Sequence, residues 1–485
     1  TCQVSLFMLL SFLLKYLDRV IFVTKVLHNS AFFSLIIILI IPNFVQAKET
    51  AQSTGFFVTN ESCCGEDSDP QAVHGIEVPG EGIVLSGKFS DLGNSNDGFV
   101  VKFPMIMEAG RENVWLLPGE DLSYDWVFSF GSKGVDDVAN TAVFLDDFIF
   151  VAGLLASKKG TLDRYLAKIE LSTGALLWQK TFRSEDKNKD SAFESALITD
   201  KNGLILTGVT NAERHSIEGF KSYGNPTDGN VFVMYFEEEQ LLAKTPPKKP
   251  VWEKNIKDSL TGKTIIQNVE EQTFIIASST REEPAIAKII KIDQNGNLVW
   301  STDYPHHGEV TDISISSKNG NIDGYFMSGH KSMNDNGIDG SITKISTNGD
   351  IIWTNTYGNP AWEKNNLSNL GKGSKKFIYD ECWGIESLND GGAIMGCGTG
   401  THCEEFEENR EFYAQCIRDP RETWRSLLIR VDEYGKLIWQ SVDSFVEENE
   451  VITTASEYVI MSQEGKIISV LDLAFGFGLQ LYELQ

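Results

Sequence analysis

Positive charge is what this sequence most lacks. Its 485 residues carry 42 Lys and Arg against 68 Asp and Glu, a formal charge of -26, whereas nucleic-acid binding needs a basic surface to displace counterions from phosphates. Nucleic acid is therefore excluded as a partner. Long apolar runs are missing too. The two longest, residues 4–14 and 31–41, fall short of the roughly 20 residues that span a bilayer, which excludes a polytopic membrane protein. No amphipathic helix separates the β-rich segments, and a parallel α/β sheet cannot be built without such crossovers. The chain also lacks a Ser-His-Asp order, paired catalytic carboxylates and a glycine loop that cradles phosphate. No catalytic residue, cofactor or metal site is predicted. The adjacent His306 and His307 have no third ligand in register and read as a solvated loop. Asp293, Asn295 and Asn297 begin like a calcium loop, but the distant bidentate Glu is missing and the segment coincides with a hairpin turn.

With 41% hydrophobic and 23% charged residues, the chain has the composition of a globular protein rather than a disordered one. Residues 31–41 follow Lys25 and His28 and lead into small residues at the positions a signal peptidase reads, which predicts cleavage after Ala47. An uncleaved hydrophobic anchor is the alternative and the one route to a membrane. Because Thr1 rather than Met opens the chain, residues 1–24 read as a spurious extension. The protein is expected to be secreted, held at the cell surface, or periplasmic. Cys63, Cys64, Cys382, Cys397, Cys403 and Cys416 lie beyond the cleavage point, and an even number in an exported chain reads as disulfides. The last four lie close together and suggest a local staple. Asn60 and Asn366 open glycosylation sequons.

An internal repeat organises the rest. Residues 291–300 (KIDQNGNLVW), 344–353 (KISTNGDIIW) and 430–439 (RVDEYGKLIW) share one pattern, and 168–178 is the same unit with one residue more. Each reads as a strand, a tight turn on Gly, and a second strand ending in Trp. A second hairpin precedes each, clearest at 195–208 and 384–395 and looser at 136–153 and 312–329. Two hairpins per period make a four-stranded sheet, closed in turn by Trp126, Trp178, Trp252, Trp300, Trp353 and Trp439. The fold class is therefore all-β, a single β-propeller of seven four-stranded blades. The last blade, with strands at 457–462, 466–472 and 478–484, is one strand short. Residues 54–59 can complete it, in their own chain or in a neighbour. The expected organisation is 1–47 as signal peptide or anchor, 48–70 as N-terminal strand and linker, and 71–485 as propeller, with insertions at 211–230, 359–381 and 401–425.

The glycine turns and the Gly-x-x-x-Trp hairpin resemble those of secreted β-propellers of the delta-60-repeat and quinoprotein-like kind. Residues 168–178 also partly match the tryptophan-docking motif of quinoprotein dehydrogenases, with Glu170, Thr173, Gly174 and Trp178 at matching positions. The other copies lack the Thr-Gly pair. Propellers of this kind include enzymes, adhesins and structural subunits, so the resemblance implies a fold more than an activity.

Loops on one face of such a ring are the expected place for binding. The insertion at 401–425 brings Arg418, Arg421, Trp424 and Arg425 together in an acidic chain, with Trp362 in the neighbouring insertion. They suit a carboxylate, a sulfate or a glycan ring; alternatively the arginines pair with Glu404, Glu405, Glu407 and Glu408 and hold the loop together. The expected function is non-enzymatic, a cell-surface or extracellular binding or structural protein with a protein or glycan partner. Exchange of the N-terminal strand between copies would add homo-oligomers or filaments. The alternative is a quinoprotein-like or glycan-active enzyme working at the channel mouth. Polar side chains converging on the channel favour the enzyme, and an apolar channel favours the scaffold.

Overall fold

The structure, a computed structural model, describes residues 51–60, 68–91, 95–104, 124–131, 136–213, 228–281, 286–333, 338–358, 376–403, 424–443, 445–447, 450–473 and 476–484. The first sheet contains β2 (Ser68–Val78), β3 (Gly82–Asp91), β4 (Ser95–Pro104) and β5 (Trp126–Phe130). The next contains β6 (Val138–Leu145), β7 (Phe148–Ala156), β8 (Leu162–Glu170) and β9 (Leu176–Phe182). Then come β10 (Asp190–Ile198), β11 (Leu204–Ala212), β12 (Asn230–Phe236) and β13 (Trp252–Ile256), and β14 (Gly262–Asn268), β15 (Thr273–Ser279), β16 (Ala287–Asp293) and β17 (Leu298–Tyr304). All are antiparallel, in chain order.

The ring does not divide into the seven separate blades expected from the repeat. Among the described residues there are five four-stranded sheets, while two further four-strand runs share one eight-stranded sheet. One run is β18 (Glu309–Lys318), β19 (Asn321–Ser332), β20 (Ile338–Ile345) and β21 (Ile351–Tyr357). The other is β22 (Lys376–Ser387), β23 (Ala393–Cys403), β24 (Arg425–Val431) and β25 (Leu437–Asp443). The cause is the length of β22, 12 residues, whose beginning meets β20 in a single parallel bridge, Ile338 to Tyr379. Two small elements are also additions to the expected pattern: α1 (Glu238–Leu242), inside the hairpin between β12 and β13, and a ribbon of β26 (Phe445–Glu447) with β27 (Glu450–Ile452).

The last sheet contains β28 (Thr454–Met461), β29 (Ile467–Leu473), β30 (Gly476–Leu484) and β1 (Ala51–Asn60), which pairs antiparallel with β30 from Ala51 opposite Leu484 to Asn60 opposite Gly476. The N-terminal strand thus completes the last sheet of its own chain. First strands touch in the order β2, β6, β10, β14, β18, β22, β28 and back to β2, which closes the ring. The core sits between the sheets. At the closure, Ala72, Leu85, Phe99 and Val101 pack against Ile460, Val470, Phe477 and Leu479, with Phe99 and Phe477 stacked at 5.3 Å. Full burial of one such Phe contributes about 2–3 kcal/mol.

Neighbouring sheets are also locked near their outer strands. The hairpin glycines Gly174, Gly296, Gly349 and Gly435 have positive φ, and a Cβ on each would crowd Trp126, Trp252, Trp300 or Trp353 of the preceding four-strand run. Trp126 donates to Leu171 O at 2.7 Å and Trp353 to Glu433 O at 3.0 Å. Buried cations on the third strands stand opposite Trp126, Trp300, Trp353 and Trp439, whereas Trp252 faces Tyr235. Lys102 pairs with Glu81 and Asp125, Lys291 with Glu271, Lys344 with Asp323, and Arg430 with Asp390. Lys168 departs from this pattern by bonding Leu241 O on α1, with its ammonium 3.6 Å from the Phe148 ring centroid.

Candidate functional site

A sheet's first strand leaves one backbone edge facing the axis of the ring, and those N–H and C=O groups need partners. In this chain every first strand has a register shift, at the very start of β6, β14 and β18 and further along the others, after Ala72, Val138, Phe193, Gly262, Val310, Cys382 and Ser456. A bulge of this kind re-aims side chains. Here the re-aimed groups reach the next first strand. Asn140 donates to Phe193 O (2.8 Å), Thr264 to Thr311 O (3.4 Å) and Thr311 to Cys382 O (2.8 Å). Ser195 accepts from Ile265 N (3.3 Å), Asp312 from Ile385 N (3.1 Å) and Ser314 from Ser387 N (3.1 Å). The result is a belt of hydrogen bonds that runs from β6 through β10, β14 and β18 to β22. The channel strands are polar, which is the condition set for an enzyme, yet these polar atoms bind neighbouring backbone.

Two charged groups stand out along the belt. The first joins β18, β22, β28 and β2. Burial, with the Asp312 carboxylate second, pushes the half-buried Glu386 carboxyl up to about 8. Burial also raises the Tyr458 hydroxyl well above its ordinary value, helped by Asp312 and Glu386, and the Tyr458 ring lies 4.7 Å from that of His74. Gly384 makes room for this arrangement, since a Cβ there would lie 2.9 Å from Tyr458 Cα. At neutral pH Glu386 is therefore mostly a proton donor beside a carboxylate. The second group lies where β18 begins. Burial opposes charge on Glu309, but Lys263 and His330 outweigh it and hold the carboxyl below its usual range. Burial likewise opposes charge on His330, and Glu309, 3.5 Å away, raises it nonetheless.

Of the residues proposed from sequence, Trp424 and Arg425 are described. Trp424 is half-buried, with its ring over Gly398 and Gly400 of β23, where any side chain would collide with it. Its carbonyl accepts from Thr454 N at 2.9 Å. Arg425, also half-buried, opens β24. Arg418, Arg421 and Trp362 lie outside the described residues, as do Cys63, Cys64, Cys416 and Asn366, the predicted cleavage point and residues 1–50. Asn60 ends β1 and Cys403 ends β23. Cys382 and Cys397 face each other across β22 and β23 and form a buried disulfide. The reading of His306 and His307 as a solvated pair needs correction. His306 is exposed, but His307 is buried and bonds Thr343 Oγ1 at 2.9 Å; burial lowers its pKa to about 4, so it is neutral. Asp293 is a turn residue as expected, accepting from the amides of Asn295 and Asn297.

Glu386, Asp312 and Tyr458 escaped the reading of the sequence. For Asp312 and Tyr458 the available signal was a polar residue just after the bulge in six of the seven first hairpins, His74, Thr141, Ser195, Thr264, Asp312 and Tyr458, with Gly384 in the seventh; Glu386, two residues beyond Gly384, carries no such signal. Aligning those hairpins places them in one ring.

No protein-family model matches the chain, and no curated protein matches it. Solved structures with a similar arrangement of sheets include the WD40 domain of Neurospora crassa Pan2, 8% identical with a TM-score of 0.44 over 90% of this chain and 95% of that one. The quinohemoprotein alcohol dehydrogenase ADHIIG from Pseudomonas putida HK5 is 10% identical, with a TM-score of 0.44 over 90% and 76%. The GH43_1 enzyme from Xanthomonas citri is 12% identical, with a TM-score of 0.35 over 63% and 93%. Likenesses this slight say nothing of what the chain does. The protein is a β-propeller on the evidence of its own ring of sheets.

Proposed function

We propose that this chain is an exported, non-enzymatic β-propeller that binds a protein or a glycan through its outer surfaces, at the cell surface or beyond it. The reading counts the eight-stranded sheet as two blades, which makes seven. What carries it is the belt. Asn140, Ser195, Thr264, Thr311, Asp312 and Ser314 are engaged with the next strand's backbone, so these polar groups of β6, β10, β14 and β18 serve the stability of the ring. Binding then falls to the loops, and the insertion with Arg418, Arg421 and Arg425 is the first candidate. The disulfide between Cys382 and Cys397 supports an oxidising compartment. The test is binding of purified protein to cells and to a glycan array. Arg418→Glu with Arg421→Glu should weaken binding about tenfold or more, and unchanged binding would remove the site.

The second reading, a glycan-active enzyme, has one observation in its favour. Glu386, protonated at neutral pH beside Asp312, has the protonation state of a general acid. Turnover of a glycan that disappears in Glu386→Gln while the ring stays folded would establish it.

A further inference from the structure

A groove of about 650 Å³ lies between the outer strand β21 and the turn that joins β24 to β25. That volume falls in the range of about 300–1,000 Å³ typical of sites for small ligands. Its wall runs from Ile351 to Tyr357 along β21 and is joined by His306 and Lys331, so the strand offers roughly 20 Å of length. Among the described residues no carboxylate lines it, although Asp and Glu outnumber Lys and Arg 68 to 42 in the chain.

The wall is held in place by bonds that leave binding capacity to spare. Lys331 Nζ donates to His306 O at 3.0 Å, which leaves two of its three N–H groups for a ligand. Tyr357 donates its hydroxyl hydrogen to Gly435 O at 2.6 Å and Asn355 Nδ2 donates to the same oxygen at 3.0 Å, which fixes β21 against the turn between β24 and β25. Behind the groove, His307 bonds Thr343, whose hydroxyl donates to Thr354 Oγ1 at 3.0 Å. Thr356 is exposed at the groove, and Ile351 supplies an apolar surface. An ammonium, an imidazole and the hydroxyls of Thr354 and Thr356, which share one face of the fixed strand, suit a ligand that is both anionic and rich in hydroxyls.

We infer that this groove is a binding site for an acidic oligosaccharide, with a uronate carboxylate on Lys331 and His306 and sugar hydroxyls along β21. The inference rests on the surface-binding reading and deepens it, but at a site separate from the arginine insertion. The experiment is calorimetric titration of the purified full chain with oligogalacturonate and, as the neutral control, a malto-oligosaccharide of the same length. The native chain takes the acidic ligand and not the neutral one. Lys331→Glu weakens binding about tenfold or more, as expected for loss of a charge-assisted hydrogen bond, while the exposed Lys158→Glu on another sheet leaves it unchanged. Thr356→Trp, which fills the groove without changing charge, gives the same loss and decides the matter if Lys331→Glu does not fold. Absence of oligogalacturonate binding by the native chain, equal binding of both sugars, or native affinity in both groove variants overturns the site. None of these outcomes affects the test of Arg418 and Arg421.

Discussion

Glu386 shows how far one residue's chemistry depends on a partner distant in sequence. A carboxyl in water is ionised at neutral pH, but burial and the nearby Asp312 raise this one from 4.5 to about 8. Folding therefore favours its protonated form. The stability this gives is fully present below pH 4.5 and is lost as pH rises through about 8. Glu386→Gln, which keeps the neutral shape, should match the native protein near pH 4 and exceed it in urea stability at pH 9. If the two stability curves run parallel from pH 4 to 9, the assignment is wrong. The sequence could not show this. In the hairpin at 384–395 Glu386 is one polar residue in an alternating pattern, and Asp312 is 74 positions away, brought near only when β18 and β22 lie side by side.

At the scale of single elements, the hairpin turn was the most legible feature. Its glycine and tryptophan were visible as a repeat, and the strands at the C-terminus were placed to within a few residues because alternation and turn residues agree there. The contacts that give the turn its value were not legible. Gly435 has a φ of 77°, and a Cβ on it would lie 2.6 Å from Asn355 Nδ2 and 2.8 Å from Trp353. Gly465 has a similar φ of 80°, with nothing within 4 Å of a Cβ. Alanine at 465 should therefore cost only the backbone penalty, about 1 kcal/mol, whereas alanine at 435 should cost about 3 kcal/mol because crowding is added. Urea denaturation of the two variants checks the difference, and equal losses would mean that the docked tryptophan contributes little. The acids paired with the buried cations were missed for a related reason. Glu81, Glu271, Asp323 and Asp390 sit in the first hairpin of each sheet, and no short motif contains both partners.

At the scale of the whole molecule, counting blades from sequence treats each period as independent. The extended β22 shows that neighbouring periods can share a sheet. Closure was better specified, because a last sheet with three strands leaves an edge that must be paired and a suitable strand lay near the other end. Whose strand it is, however, could not be read from sequence, since the same hydrogen bonds form within one chain or between two. In the structure β1 lies on β30 of its own chain, which makes a self-contained ring. Hydrogen exchange of the β1 and β30 amides, followed by mass spectrometry across a range of protein concentrations, addresses this closure directly. Self-closure predicts that β1 is protected together with β28–β30 to the same degree at every concentration. A β1 that exchanges freely in dilute protein, and gains protection only as polymers form, would contradict it.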